Sequence, residues 1–507
     1  MSKHLRKIRD QLNKAKKEGG DILSFLKNIF GESGERAVVF SSRFRELIDL
    51  ILDNIEDLEG NRETVHYLYK LASQMGYEGI MYLTAQIADR VPYEELQYNL
   101  KSYIDEAVKE IIISKVDEML NGELWERKAL AMILSSLKKN LPRSRIFNIV
   151  QRLLIDDSIE VRGATLKALG DMIDVLGSKW ILATLTNIFS HEEPLRYGWF
   201  LLTGFSTLYK LYFSMFEGRE EILHLIKRVL DADPEVVNKL LKFAQRTYHD
   251  DEAAATLWII SIYPQYFNAV DAIKATVNII NRHGEKVLME AASAIEKKIW
   301  DLKGKEFRII YGIIKHPNHK VRECIALALS KMLSSGYEKA IKPLLRLAMD
   351  KRSSIRRIAC SAIMEKLGEF EEDDYVIAIR TLIRSRWAMA VETALTSLME
   401  RGDILSQEDF KRIILTASKD PRTSVMRPLI ELLQMRWKEI GIDMFHKALT
   451  RILNNLRDRK ELIEMTENLI KFISQQLNDE KKDELRKIIK KSDLPLMLKK
   501  RFLRLVS

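Results

Sequence analysis

The 507-residue chain is 46% hydrophobic and 30% charged, an ordinary balance for a folded globular protein, with 21 glycines, 10 prolines and a formal net charge of +10. Two cysteines, Cys324 and Cys360, exclude a disulfide framework and any CxxC metal or redox pair, and place the chain in a reducing, cytoplasmic setting. So few helix breakers, with Leu, Ile, Ala, Glu, Lys and Arg dominant, argue for long runs of helix, and the Lys/Ile/Glu-rich usage is thermophile-like.

The charge is not spread evenly. Residues 1–17 carry +6 and residues 481–507 carry +7, so the 463 residues between them are slightly acidic at −3. Such a chain is not a uniformly basic nucleic-acid wrapper. It is a near-neutral body with two basic ends, which either cap a repeat array or meet phosphate or an anionic surface.

In chain order, residues 1–30 form the first expected segment. Leu5, Ile8, Leu12 and Ala15 have helical spacing, with Lys3, Arg6, Lys7, Arg9 and Lys14 between them. This stripe docks on the body or lies on an anionic membrane. The run ILSFLKNIF (22–30) is apolar enough to dock on the body, and FGESGER (30–36) is an expected hinge. No secretory signal is expected at this end. Irregular helices are expected over 31–122.

From residue 123 a repeat takes over. In LLIDDSIEVRGATLKALGDM (153–172) one apolar helix ends at Asp156-Asp157, a polar turn follows, and a second helix starts at Val161-Arg162 with Ala164, Leu166, Ala168 and Leu169 behind. Small residues there let neighbouring helices approach closely. The pattern returns at Val321-Arg322, Ile355-Arg356 and Val425 with Arg427, and more weakly at Leu195-Arg196, Val236, Val287 and Val391. Most spacings are 34 to 41 residues. The gap of 51 from 236 to 287 implies an extra helix, expected around 251–264. Within this array, 197–216 is long enough to span a bilayer, but Lys210 lies inside it and it falls in phase with a repeat helix.

A two-helix period with a D-x-x-x-x-V-R turn resembles HEAT repeats, over roughly 123–476, while the W-x-x-L-G-x-x-Y signature of tetratricopeptide repeats is missing. The resemblance implies an all-α solenoid of stacked antiparallel helix pairs, capped by a basic helical segment at 477–507. Each pair cannot cover its own apolar face, so stacking builds the core. It further implies that Asp156, Asp350 and Asp420 form a ladder with Arg162, Arg322, Arg356 and Arg427 between repeats. It does not imply an activity.

Three sets of residues are candidates for contact. Arg352, Arg386 and Arg422 recur once per repeat before the second helix, with Arg357, Arg384 and Trp387 beside them. A row of guanidinium groups at helix N-termini, with an aromatic ring between, suits a phosphate backbone, although Glu371, Glu372, Asp373 and Asp374 in the same repeats dilute the field. The basic ends are the second set, through Lys3, Arg6, Lys7, Arg9 and Lys14 at one end and Lys490, Lys491, Lys499, Lys500 and Arg501 at the other. The third is the aromatic stretch, where Trp199, Phe205, Tyr209 and Phe213 would form an apolar docking patch.

No catalytic motif is found: no GxxxxGK[ST], GxGxxG, HExxH or GxSxG. His316 and His319 are the one close histidine pair, without a neighbouring carboxylate or thiol. Among HEAT-type enzymes, deoxyhypusine hydroxylases use repeated His-Glu pairs, and here only His191-Glu192 occurs. Alkylpurine DNA glycosylases use a basic, aromatic concave face, which Arg384, Arg386 and Trp387 match too weakly to transfer a role. The expectation is a non-enzymatic scaffold without cofactor, metal or small-molecule substrate, whose partner is a protein. A nucleic acid met through phosphates is the alternative, and membrane attachment through residues 1–30 a third.

Overall fold

The computed structural model describes every residue except 1–2, 18–20, 56–57, 59–60, 89, 92, 192–194, 215–217, 233–234, 457–458 and 507. Every regular element among the described residues is helical. The chain divides into two compact units, Met1–Asp301 and Leu302–Ser507.

In each unit, helices of one series pack side by side while the helices between them form a second layer. In the first unit the series runs through Tyr77–Ile87, Leu124–Leu137, Ile159–Leu169, Gly198–Ser214, Asp250–Ile262 and Leu288–Ile299, each packed on the next. In the second it runs through His319–Ser334, Ser353–Lys366, Ala388–Arg401, Thr423–Ile440 and Lys460–Ser474. Each unit is therefore an all-α solenoid stack. The small residues of the repeat are inside, as their place in the pattern implies: Ala168, Ala326, Ala359 and Ala362 are buried.

The irregular interval is displaced from its expected place. Residues 251–264 are not an insertion, because Asp250–Ile262 belongs to the series itself. The interval between Gly198–Ser214 and Asp250–Ile262 holds two helices, Arg219–Ala232 and Glu235–Ala244, where the interval between Leu124–Leu137 and Ile159–Leu169 holds one, so the extra helix lies there. Val236 thus sits in the second layer rather than at a register position. Its apolar spacing is the same in either layer, so the pattern alone does not separate them.

Gly198–Ser214 is a 17-residue interior helix. Its Lys210 reaches Asp251 on the next helix of the series at 2.7 Å and Asp171, in the turn after the previous one, at 3.3 Å, which accounts for a lysine in so apolar a run. Among the described residues no helix is long and apolar enough to cross a membrane.

Candidate interaction surfaces

The repeat turn is the local device that positions the candidate residues. Five turns share one bond, in which a polar side chain accepts the backbone N–H two residues on. Asp156 takes that of Ser158 at 2.9 Å, His316 that of Asn318 at 3.2 Å, Asp350 that of Arg352 at 2.8 Å, Ser385 that of Trp387 at 3.2 Å and Asp420 that of Arg422 at 3.0 Å. Short side chains that bond their own backbone favour such turns. Five residues later stands a buried apolar residue in every case: Val161, Val321, Ile355, Ala390 and Val425. Ala390, not Val391, therefore holds the register.

The expected Asp–Arg ladder exists with altered partners. Arg322 donates to Asp350 at 2.7 Å and to the His316 carbonyl of its own turn at 2.7 Å, tying one repeat to the next. Asp156 is reached by Arg127 at 2.7 Å, a residue the sequence pattern passed over. Arg127 also donates to the Gly122 carbonyl, so its place in its turn matches that of Arg322. Arg356 clamps the carbonyls of Asp350 and Lys351 at 2.6 and 2.8 Å. Arg427 turns instead to Glu461 at 3.1 Å. Burial works to raise the Asp350 carboxyl, but the Arg322 guanidinium, the Arg352 N–H and the nearby Arg356 outweigh it and hold Asp350 below the ordinary carboxylate range.

Because these acids fold into the turns, cations face outward along the turn edge of the second unit. Lys351, Arg352, Arg384, Arg386 and Lys419 are all exposed, and Arg357 stands one turn further along its helix. Among the described residues, Arg352, Arg357, Arg384 and Arg386 enter no ion pair. Arg422 differs from them: it is held on Asp420 and donates to the Arg386 carbonyl at 2.8 Å, which fastens two successive turns together. Its guanidinium is a structural strut rather than a free contact. Trp387 is half-buried. Met349 and Met389, each 52% exposed, lie among the cations. The acids Glu371, Glu372, Asp373 and Asp374 do not dilute this edge, since they sit at the opposite end of helix Glu372–Ile383, about 18 Å away for 12 helical residues.

The basic ends are placed differently from one another. At the N-terminus Leu5, Ile8 and Leu12 are buried, and their helix Lys3–Lys17 packs on Ile22–Phe30 and Phe44–Leu52. The membrane reading loses its insertion face, because the apolar stripe is already used in the core. Arg6, Lys7, Arg9 and Lys14 are exposed, while the side chains of Lys3 and Ala15 lie outside the described residues. At the C-terminus Lys490, Lys491 and Lys500 are exposed, Lys499 is half-buried, and Arg501 is paired with Glu467 at 2.6 Å.

The aromatic stretch does not form one docking patch. Phe205 is fully buried against Phe189, with ring centroids 5.9 Å apart, because it faces the end of the second-layer helix Ser178–Ile188. Tyr209 donates to Glu290 at 2.7 Å. Trp199 is half-buried over Gly163. Of the four residues only Phe213 is well exposed. Phe216 lies outside the described residues, as does Glu192 of the His191-Glu192 pair. Among the described residues no three His, Cys, Asp or Glu side chains gather as a metal site.

With this geometry in hand, the fold is that of a HEAT-type α-solenoid. A HEAT repeat profile matches residues 146–176, the segment containing helices Arg143–Leu154 and Ile159–Leu169 for the most part. No curated protein matches the sequence significantly. Among solved structures, Kap121p bound to RanGTP is 13% identical with a TM-score of 0.33, over 90% of this chain and 58% of that one. An engineered protein is 13% identical with a TM-score of 0.30, over 84% of this chain and 97% of its own. The Kap95:Nup1 complex gives 13% and 0.30, over 95% of this chain and 65% of the matched one. The chain thus spans little more than half the length of Kap121p. At these identities and scores, such likenesses say nothing about what this chain binds.

Proposed function

We propose that the protein is a non-enzymatic helical-repeat scaffold that binds an acidic segment of a partner protein along the turn edge of its second unit. The observation that carries this reading is the row of unpaired cations, Arg352, Arg384 and Arg386, interleaved with exposed Met349 and Met389. Guanidinium forks match carboxylates in pairs. Methionine adapts its shape to apolar anchors. An acidic peptide with apolar residues between its charges satisfies both, whereas a bare phosphate backbone leaves the methionines unused. Buried free thiols at Cys324 and Cys360 accord with a reducing, cytoplasmic setting.

The test is fluorescence anisotropy with a labelled Glu/Asp peptide carrying Leu and Phe anchors, and separately with labelled duplex DNA, at about 50 and 200 mM salt. The peptide is expected to bind the full chain, and the double substitution Arg352→Glu/Arg386→Glu to weaken it at least about tenfold, the effect of roughly 1.4 kcal/mol of lost ion pairing. Lys490→Glu/Lys500→Glu is expected to leave peptide binding unchanged. Should the duplex bind instead, with a log–log salt slope of about −0.9 per phosphate contacted, the nucleic-acid reading takes its place. Failure of both ligands would remove the turn edge as the contact surface.

A further inference from the structure

One turn of the first unit breaks the repeat rule at a single position. Thr247 accepts the N–H of His249 at 3.1 Å, the same bond that marks the other turns. The residue five later is not apolar but Glu252, and it is only 6% exposed. Its carboxylate accepts from two neutral hydroxyls, Thr203 at 2.8 Å and Thr247 at 2.5 Å. A carboxylate offers about four lone-pair positions, and burying the charge costs several kcal/mol unless it is paired. Valine at this position in three of the other turns avoids that cost. A departure from local consistency of this kind is expected where a site is built.

Glu252 borders a cavity of about 430 Å³, within the range of small-ligand sites. Two of its aromatic walls are seated on glycines. A Cβ on Gly163 would stand 2.2 Å from the Trp199 ring, and one on Gly198 would stand 2.4 Å from the Phe243 ring. Tyr248 adds a third ring, steadied by Arg282 at 4.5 Å from its centroid. The opposite sign of charge lies on the same lining at exposed Arg246, and Lys167 Nζ stands 3.0 Å from His249 Nε2. His249 is itself buried and fixed, its Nδ1 accepting the Tyr93 backbone N–H at 2.8 Å, which joins the cavity wall to a segment 156 residues earlier.

We propose that this cavity binds a small zwitterion in which a cationic nitrogen and a carboxylate are joined by an apolar stem, as in a basic amino acid, either free or as the C-terminal residue of a peptide. The cationic nitrogen occupies the unused acceptor positions of Glu252. The stem lies against Trp199 and Phe243, where rings also favour the cation. The carboxylate meets the exposed Arg246 guanidinium at the rim.

Isothermal titration of the full chain tests this with L-arginine, L-lysine, an acetylated peptide ending in arginine with a free carboxylate, agmatine (which lacks the carboxylate) and norleucine (which lacks the side-chain cation). Saturable one-to-one binding of an amino acid or of the peptide is expected, with agmatine and norleucine at least about tenfold weaker. Free amino acid against peptide distinguishes the two sources. Glu252→Val restores the residue the repeat calls for, and is expected to melt no earlier than the parent while losing binding. Arg246→Gln, at an exposed position, is expected to weaken the zwitterions at least about tenfold and leave agmatine unchanged. No heat from any probe at millimolar concentration would overturn the proposal. So would agmatine binding as tightly as arginine, or binding that survives both substitutions.

Discussion

At the scale of residues, the turn acids are structural and titrate accordingly. Asp350 and Arg322 are both largely buried, with side chains 9% and 13% exposed, so removing one charge strands the other. Asp350→Asn is expected to destabilise the second unit by about 3 kcal/mol, the cost of breaking a buried pair, read by urea denaturation. Since Asp350 is held below its ordinary value of 3.8, the unfolded chain takes up its proton first. The stabilisation is whole above about pH 4 and fades as pH falls below that. His446 acts in the same sense at higher pH. Burial holds its imidazole below the ordinary 6.5, aided by Lys481 and opposed by Glu484 and Asp443. The folded state prefers it neutral, so its contribution is complete above pH 6.5 and declines as pH falls through that range. Thermal melts of the second unit between pH 7.5 and 5.5 are expected to lose stability, and His446→Leu is expected to flatten that dependence.

At the scale of elements, two helices show packing deciding what a pattern leaves open. The N-terminal helix Lys3–Lys17 is among the most strongly amphipathic in the chain, and its apolar face is consumed by its neighbours. Its stability comes from that docking rather than from its own propensity. Deleting residues 1–17 is therefore expected to lower the melting temperature of the first unit, and a truncated chain that melts unchanged would mean the helix is not held on the body. In Ile159–Leu169, Gly163 stands where a side chain would enter the Trp199 ring. Alanine normally favours a helix over glycine by about 1 kcal/mol. Here Gly163→Ala is expected to destabilise by roughly 1–3 kcal/mol through overpacking, measured by chemical denaturation. A stabilised variant would show that Trp199 moves aside freely.

At the scale of the whole molecule, the two compact units each carry their own core. Stability in stacked repeats is a sum of local and nearest-neighbour contributions, so unfolding is expected to depart from a single two-state transition. Fragments 1–301 and 302–507 are each expected to retain helical circular dichroism and a cooperative melt. One coincident transition by two probes in the full chain would show instead that the units unfold together.

Much of the architecture is legible in the sequence. Period, helix class, the buried alanines and the existence of an Asp–Arg ladder follow from signals that are local in sequence, because a helix pair repeats its own apolar spacing and its own turn chemistry. The layer to which a helix belongs is not legible, since Val236 and Val161 look alike until their neighbours are known. Nor is the division of labour among the arginines, where Arg422 is spent on Asp420 while Arg352 and Arg386 face solvent. Glu252 escapes a sequence reading for the same reason. Its sequence neighbourhood, HDDE at a helix start, looks like a solvated acidic first turn, and only the stack brings Thr203 and Trp199 over it. The sequence by itself determined the repeating helical stack, because burial of one apolar face per helix is written into spacing. Only the tertiary structure decided which charges are buried, paired or free, because that depends on residues tens to hundreds of positions apart meeting in space.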